Sequence, residues 1–315
     1  MKLLKTMTAA ALLAVSTSAL ACASCGCSLS SDWESQGLSS GAGLRFDLRY
    51  DAVNQSQVRS GVSSVSQWPV AGHEQEQYTH NRYVTASIDY SADTDWGVNL
   101  QLPMVLRDHA TNGFAFDGSD AGTSSTQSLG DAKVIGRYQG FSPERNFGVQ
   151  FGLKLPTGSY TQNFSAGALA GQPLDRGLQP GSGTTDVILG AYFFAPMTLD
   201  WDYFVQTLAQ VPLASREGYK PGNALNVNVG WRYLGFDKWV PQLQVNVRAS
   251  RRDSGVNASP DDTGGRTVYV SPGATYPVTE TVKVYGFVQV PVYQHLNGYQ
   301  LAPKITYSVG TRFEF

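Results

Sequence analysis

All three cysteines of the chain, Cys22, Cys25 and Cys27, lie in the single stretch CASCGC. Closely spaced thiolates suit soft cations, so the cluster is a candidate site for copper or zinc. It lacks a histidine and the spacing of a structural zinc site. Two other states fit the same residues. In an oxidising compartment Cys22 pairs with Cys25 or Cys27 and leaves one thiol over; if the chain is cut after Ala21, Cys22 becomes an N-terminal residue able to carry lipid. A second set of candidate ligands, His73, Glu74, Glu76 and His80, has no tetrahedral spacing and reads as the surface of an exposed loop. No other cofactor is expected.

A nucleophile is harder to find. His109, Thr111, Asn112 and Gly113 faintly resemble the His-x-Ser-Asn-Gly signature of outer-membrane phospholipase A, in which a histidine activates a serine. Threonine stands at the nucleophile position here, and the segment reads as loop and not strand, so no catalytic residue is assigned and the chain is not expected to be an enzyme.

Whatever these residues do, the elements around them decide. Lys2 and Lys5 precede a short apolar run from Met7 to Val15, and Ala19-Leu20-Ala21 follows. This is the form of a secretory leader over 1–21. No later stretch reaches the roughly 18 apolar residues that a membrane helix needs. Charged residues make up only 15% of the chain, against about 25% in soluble domains. The net charge of −2 argues against nucleic acid, which is bound by basic surfaces that release counterions.

From Leu44 to the end, apolar and polar residues alternate in segments of about ten, the period of β-strands with two unlike faces. Strands are expected near 43–54, 79–91, 96–108, 129–140, 146–156, 184–195, 200–213, 224–235, 240–251, 266–277, 281–294 and 303–315. Connections are alternately short and long, the long ones spanning about Gln55 to Gln77, His109 to Ser128, Thr157 to Gly183 and Asp253 to Gly265. A soluble sandwich would keep its apolar face inward and turn tightly at both ends. The pattern instead predicts an all-β, closed transmembrane antiparallel barrel of about twelve strands in the outer membrane, with short periplasmic turns and long external loops. The domain reading is a leader over 1–21, a polar cysteine-containing tail over 22–42 that is periplasmic or plugs the lumen, and a barrel over 43–315.

Aromatics ring the short-turn side: Tyr90, Trp96, Tyr138, Phe147, Phe193, Trp201, Tyr233, Trp239, Tyr276 and Phe315. Four tripeptides, QLP, KLP and two QVP, end in Pro103, Pro156, Pro212 and Pro291. Proline cannot donate to a ladder, so these are expected at the outer rim, where pairing ends. The terminal Phe313 and Phe315 read as the assembly signal taken up by the barrel assembly machinery. If the apolar face meets outer-membrane lipid, the alternate residues line a lumen. These are Arg45, Asp47, Arg49, Asp51, Asp89, Arg107, Asp131, Lys133, Arg137, Lys154, Asp186, Arg232, Arg248, Arg312 and Glu314, which would form ion pairs across the bore or select passing solutes.

The stretch GLKLPTGSY, followed by LDRGLQPGSGTTDVILGAYF, resembles the family of outer-membrane proteins named for the MetA pathway of phenol degradation. The close likeness covers Gly152 to Phe193. The resemblance implies a channel passing small solutes, such as apolar or aromatic compounds, by diffusion; it brings no catalytic residues and does not cover the cysteines. The alternative is a barrel that serves a periplasmic redox or metal-handling protein through its CxxCxC tail.

Overall fold

The computed structural model describes residues 41–66, 70–115 and 117–315. The leader, the three cysteines and nearly all of the tail lie outside the described residues. The elements are β1 (Gly43–Gly61), β2 (Ser63–Ser64), β3 (Glu76–Ser91), β4 (Trp96–Thr111), β5 (Gly122–Leu129), β6 (Lys133–Tyr138), β7 (Phe147–Lys154) and β8 (Ala166–Gly167). They continue with β9 (Asp186–Pro196), β10 (Trp201–Pro212), β11 (Ala224–Tyr233), β12 (Val240–Ser250), β13 (Gly265–Pro277) and β14 (Val282–Glu314).

Neighbours pair antiparallel from β3 through β4, β6, β7 and β9 to β14, and β14 returns to β1, which pairs β3. The sheet therefore closes on itself and its main staves leave no edge. Closure satisfies the backbone where no water can. β5 and β6 pair β4 end to end and act as one stave. β14 reverses at Asn297-Gly298, where Gly298 has φ +57. Its two arms then lie side by side: Gln294 Nε2 donates to the Pro303 carbonyl at 2.7 Å and the Glu314 amide to the Thr281 carbonyl at 2.8 Å. With those two arms counted separately, and the two-residue β2 and β8 set aside, the barrel has twelve staves.

Alternation decides the faces. On β11, Leu225 is 44% exposed while Asn228 is 3% and Arg232 1% exposed. Leu48, Val98, Leu102, Leu189, Leu243 and Val309 continue an exposed apolar band around the barrel. A belt of this extent belongs in hydrocarbon, not water. The aromatic ring at the short-turn end is packed, with Trp96 on Tyr138 at 4.5 Å, Trp201 on Tyr233 at 5.1 Å and Phe236 on Trp239 at 5.0 Å between ring centres. At the other end an outward ion pair, Arg82 to Asp108 at 2.5 Å, closes the belt, and Ser125 Oγ adds a hydrogen bond to Asp108. On β4 the apolar positions run from Trp96 to Leu106, about the 9–11 residues that a tilted spanning strand needs.

Four expectations are corrected. Two of the long outer connections are shorter than the alternation suggests, because β1 continues to Gly61, β4 to Thr111, and β5 begins at Gly122, whereas those between β7 and β9 and between β12 and β13 keep their expected length. The expected loop between 294 and 303 is strand, since β14 pairs β13 and β1 up to its turn. The prolines do not share one rim. Pro156 and Pro212 stand at strand ends. Pro103 lies within β4 opposite the break between β5 and β6, and Pro291 within β14 beside the register shift at Val268/Tyr269. A proline inside a strand is tolerated where the neighbouring ladder is already irregular. Finally, His109 to Thr111 belong to β4 and not to a loop.

Candidate functional site

The inward side of the staves carries the polar half of the alternation, and its charges are gathered into networks. Near the short-turn end Asp89 receives Arg137 at 2.5 and 2.9 Å and Arg45 at 3.3 Å, and Ser91 Oγ accepts from both arginines. Arg232 grips Asp202 at 2.7 and 2.5 Å. Glu314 is met by Lys283 and, at 3.3 Å, by Arg312. Further along, Arg49 donates to Asp51 at 2.8 Å and Tyr285 to Asp47 at 2.9 Å. Arg248 donates to Asn226 at 3.1 Å. Arg107 reaches Asn81, Tyr83 and the Gly177 carbonyl. Lys154 bridges Asp131 at 2.9 Å and Asp186 at 3.2 Å. Lys133 joins none of these networks.

Two inward features escape a reading of single strands. The first is a row of amides. Gln206 donates to Gln150, Asn228 to Gln206, Asn246 to Asn228 and Gln244, and Ser271 to Asn246, at 2.6–3.2 Å. The row crosses β7 to β13, passing over β9 at Gly190, where a Cβ would come within 3.2 Å of the Gln150 oxygen. The second is a set of inward rings, Tyr192, Phe204, Tyr269, Tyr285 and Phe287, all buried. Phe204 faces Gly230 and Phe287 faces Gly273 in register. A Cβ on either glycine would come within 2.2 or 2.1 Å of the ring. These two rings therefore lie over the backbone of a neighbouring strand. Tyr192 over Gly148 and Tyr285 over Gly310 repeat the device.

The stretches LPTG and GSGTTD are the two legs of one external loop, residues 155–185. Thr157 Oγ1 accepts from the Ala132 amide and donates to the Gly130 carbonyl; Gly158 and Ser182 give their amides to Asp131. The legs touch each other and the break in the β5/β6 stave, for a Cβ on Gly158 would meet Gly130 and Gly181 backbone at 2.8 Å. Asp131, held by Lys154 from below, thus ties the loop to the barrel. Between its legs the loop buries its own small core of Phe164, Leu174 and Leu178, with Leu169 against it. Arg107 reaches up from the wall to the carbonyl of Gly177. Arg176 stacks on the rings of Tyr160 and Tyr219 at 4.9 and 5.1 Å. The other loops interlock with one another: His73 pairs Asp262 at 2.9 Å and Tyr219 donates to Asp253 at 2.9 Å.

Glu74 sits in this loop assembly, where burial raises its carboxyl above the usual range although hydrogen bonds with Thr111 and Asp175 oppose the shift. The folded state therefore favours protonated Glu74. Its contribution is full below the unfolded value and is lost as pH rises through the raised folded one. Limited proteolysis of the 155–185 loop should accelerate from acidic to alkaline pH, and Glu74→Gln should flatten that dependence.

The remaining candidates are dispersed. His80 is exposed and stacks on Tyr78 at 4.6 Å, whereas His73 pairs with Asp262. His109 is buried, its Nδ1 2.9 Å from Thr79 Oγ1 and 3.9 Å from Glu76, with Phe164 near its ring. Thr111 turns instead to the Gln75 carbonyl, so the histidine does not address the residue that would be its nucleophile. Among the described residues no group of three or more His, Cys, Asp or Glu could hold a metal ion.

In solved structures the chain is similar to an outer membrane channel from Pseudomonas putida F1, with a TM-score of 0.64, 14% identity, and coverage of 91% of this chain and 99% of that one. It is also similar to the β domain of the Bordetella autotransporter BrkA, with a TM-score of 0.50, 11% identity and coverage of 87% and 100%. No curated protein sequence matches it significantly. The fold is that of Gram-negative outer-membrane barrels, and the apolar belt places it in that membrane. The family profile described as MetA-pathway of phenol degradation matches residues 54–301, and the chain belongs to that family.

Proposed function

We propose that the protein is an outer-membrane channel that lets small solutes, apolar or aromatic compounds among them, diffuse passively to the periplasm. The observation that carries this reading is the closed barrel with an exposed apolar belt outside and polar and charged side chains within. A barrel of twelve staves is wider than the eight-stranded case that side chains fill. The charged residues from Arg45 to Arg312 then line the passage, and the amide row offers hydrogen bonds that a solute can exchange as it moves. The family's name points to aromatic catabolism, and the similar Pseudomonas protein is itself described as a channel.

The test is conductance of the purified barrel in planar bilayers together with uptake of small aromatic solutes into liposomes. Gly230→Val forces the Phe204 ring off the wall and into the bore, so single-channel conductance should fall while the barrel stays assembled. A wild-type barrel that neither conducts nor admits solute would overturn the reading.

A further inference from the structure

Lys133 lies on β6 directly opposite Lys154 on β7, with Gln101 on its other side. Like charges directly opposite across a sheet destabilise it. Lys154 escapes the conflict by turning to Asp131 and Asp186. Lys133 does not: its amine has no hydrogen-bond or ion-pair partner among the described residues, and its side chain is only half-buried. It is within electrostatic reach of Arg248 on β12, Lys154 on β7 and Arg49 on β1, with Asp186 the one carboxylate in that set. β6, β12 and β1 are separate parts of the barrel wall, so basic side chains from different sides of the barrel act on Lys133.

The carboxylates nearby are already occupied. Asp51 takes Arg49 and, at 2.5 Å, Ser308. Asp186 takes Thr184 at 2.7 Å and Gln210 at 2.6 Å. Asp131 takes Lys154 and the amides of the loop. An ammonium has three donors to satisfy, and in a narrow passage with low-dielectric walls its field is focused along the axis.

We propose that Lys133, flanked by Arg49 and Arg248, is a transient binding site for a small organic anion, a carboxylate on an aromatic or short aliphatic body, and that the channel prefers anions to cations. The ammonium suits the charge of such a solute. A single site of this kind is attractive enough to enter and weak enough to leave. The proposal rests on the channel reading and adds the charge class of what passes.

The reversal potential of the reconstituted barrel across a KCl gradient should have the sign of anion preference, and benzoate should reduce the chloride current. Lys133→Gln should weaken both effects, and Lys133→Glu should abolish or invert the preference, with heat-modifiable migration on gels confirming that each variant has assembled. If Lys133→Glu does not assemble, the wild-type reversal potential, the benzoate block and Lys133→Gln still decide. A conducting wild type without anion preference, or a Lys133→Gln variant that keeps it, would overturn the anion site and leave the channel standing. An assembled wild-type barrel with no conductance would remove both.

Discussion

Lys154→Met should be the most damaging single substitution in the barrel wall. Lys154 is 5% exposed and neutralises two carboxylates, Asp131 and Asp186, which are 9% and 0% exposed. Removing the cation leaves both charges buried, and an uncompensated buried charge costs about 3–5 kcal/mol. The loss also reaches the loop, because Asp131 holds the amides of Gly158 and Ser182. The variant is expected to refold at a lower urea midpoint and to be cleaved faster within residues 155–185. Pairing it with Asp186→Asn removes one of the stranded charges and should recover much of the stability. Unchanged stability of the single variant would mean that the Lys154 bridge does not hold the loop.

Deleting Phe313 to Phe315 should have the larger effect on assembly. Phe313 pairs with Phe46 across the closing seam, its ring 6.1 Å away. The Phe315 amide donates to the Leu44 carbonyl, and Glu314 pairs in register with Arg45 and bonds Lys283. Without these residues the first residues of β1 and the start of β14 keep unpaired backbone groups at the membrane, each costing several kcal/mol in hydrocarbon. The truncated chain is expected to accumulate unassembled in the periplasm and to show no heat-modifiable form. Phe315→Ala, which keeps the backbone pairing, separates recognition of the terminal ring by the assembly machinery from closure of the barrel. A truncated chain that assembles normally would show that the seam closes without them.

What the chain reveals by itself is what depends on neighbours in sequence. A period of two, carried by residues such as Leu225, Val227 and Val229 against Asn226 and Asn228, determines the strands and which face meets lipid. A slip of one residue would turn every apolar side chain to the wrong side. The stave number, the aromatic ring at the short turns and the inward direction of the charges follow from the same rule.

Which charges meet is a different question, because it depends on register between strands distant in sequence. Nothing local joins Lys154 to Asp131, or sets Lys133 against it without a partner. The amide row from Gln150 to Ser271 and the seating of Phe204 on Gly230 likewise exist only once β7 to β13 are aligned. The 155–185 loop was illegible for a second reason. Phe164, Leu174 and Leu178 show no period, so nothing in their spacing marks them as a core. They become one because the Asp131 clamp brings the loop's two legs together and encloses them. Alternation along a strand is a local property of the backbone, whereas register, clamps and closed loops are long-range contacts that only the assembled barrel can satisfy together.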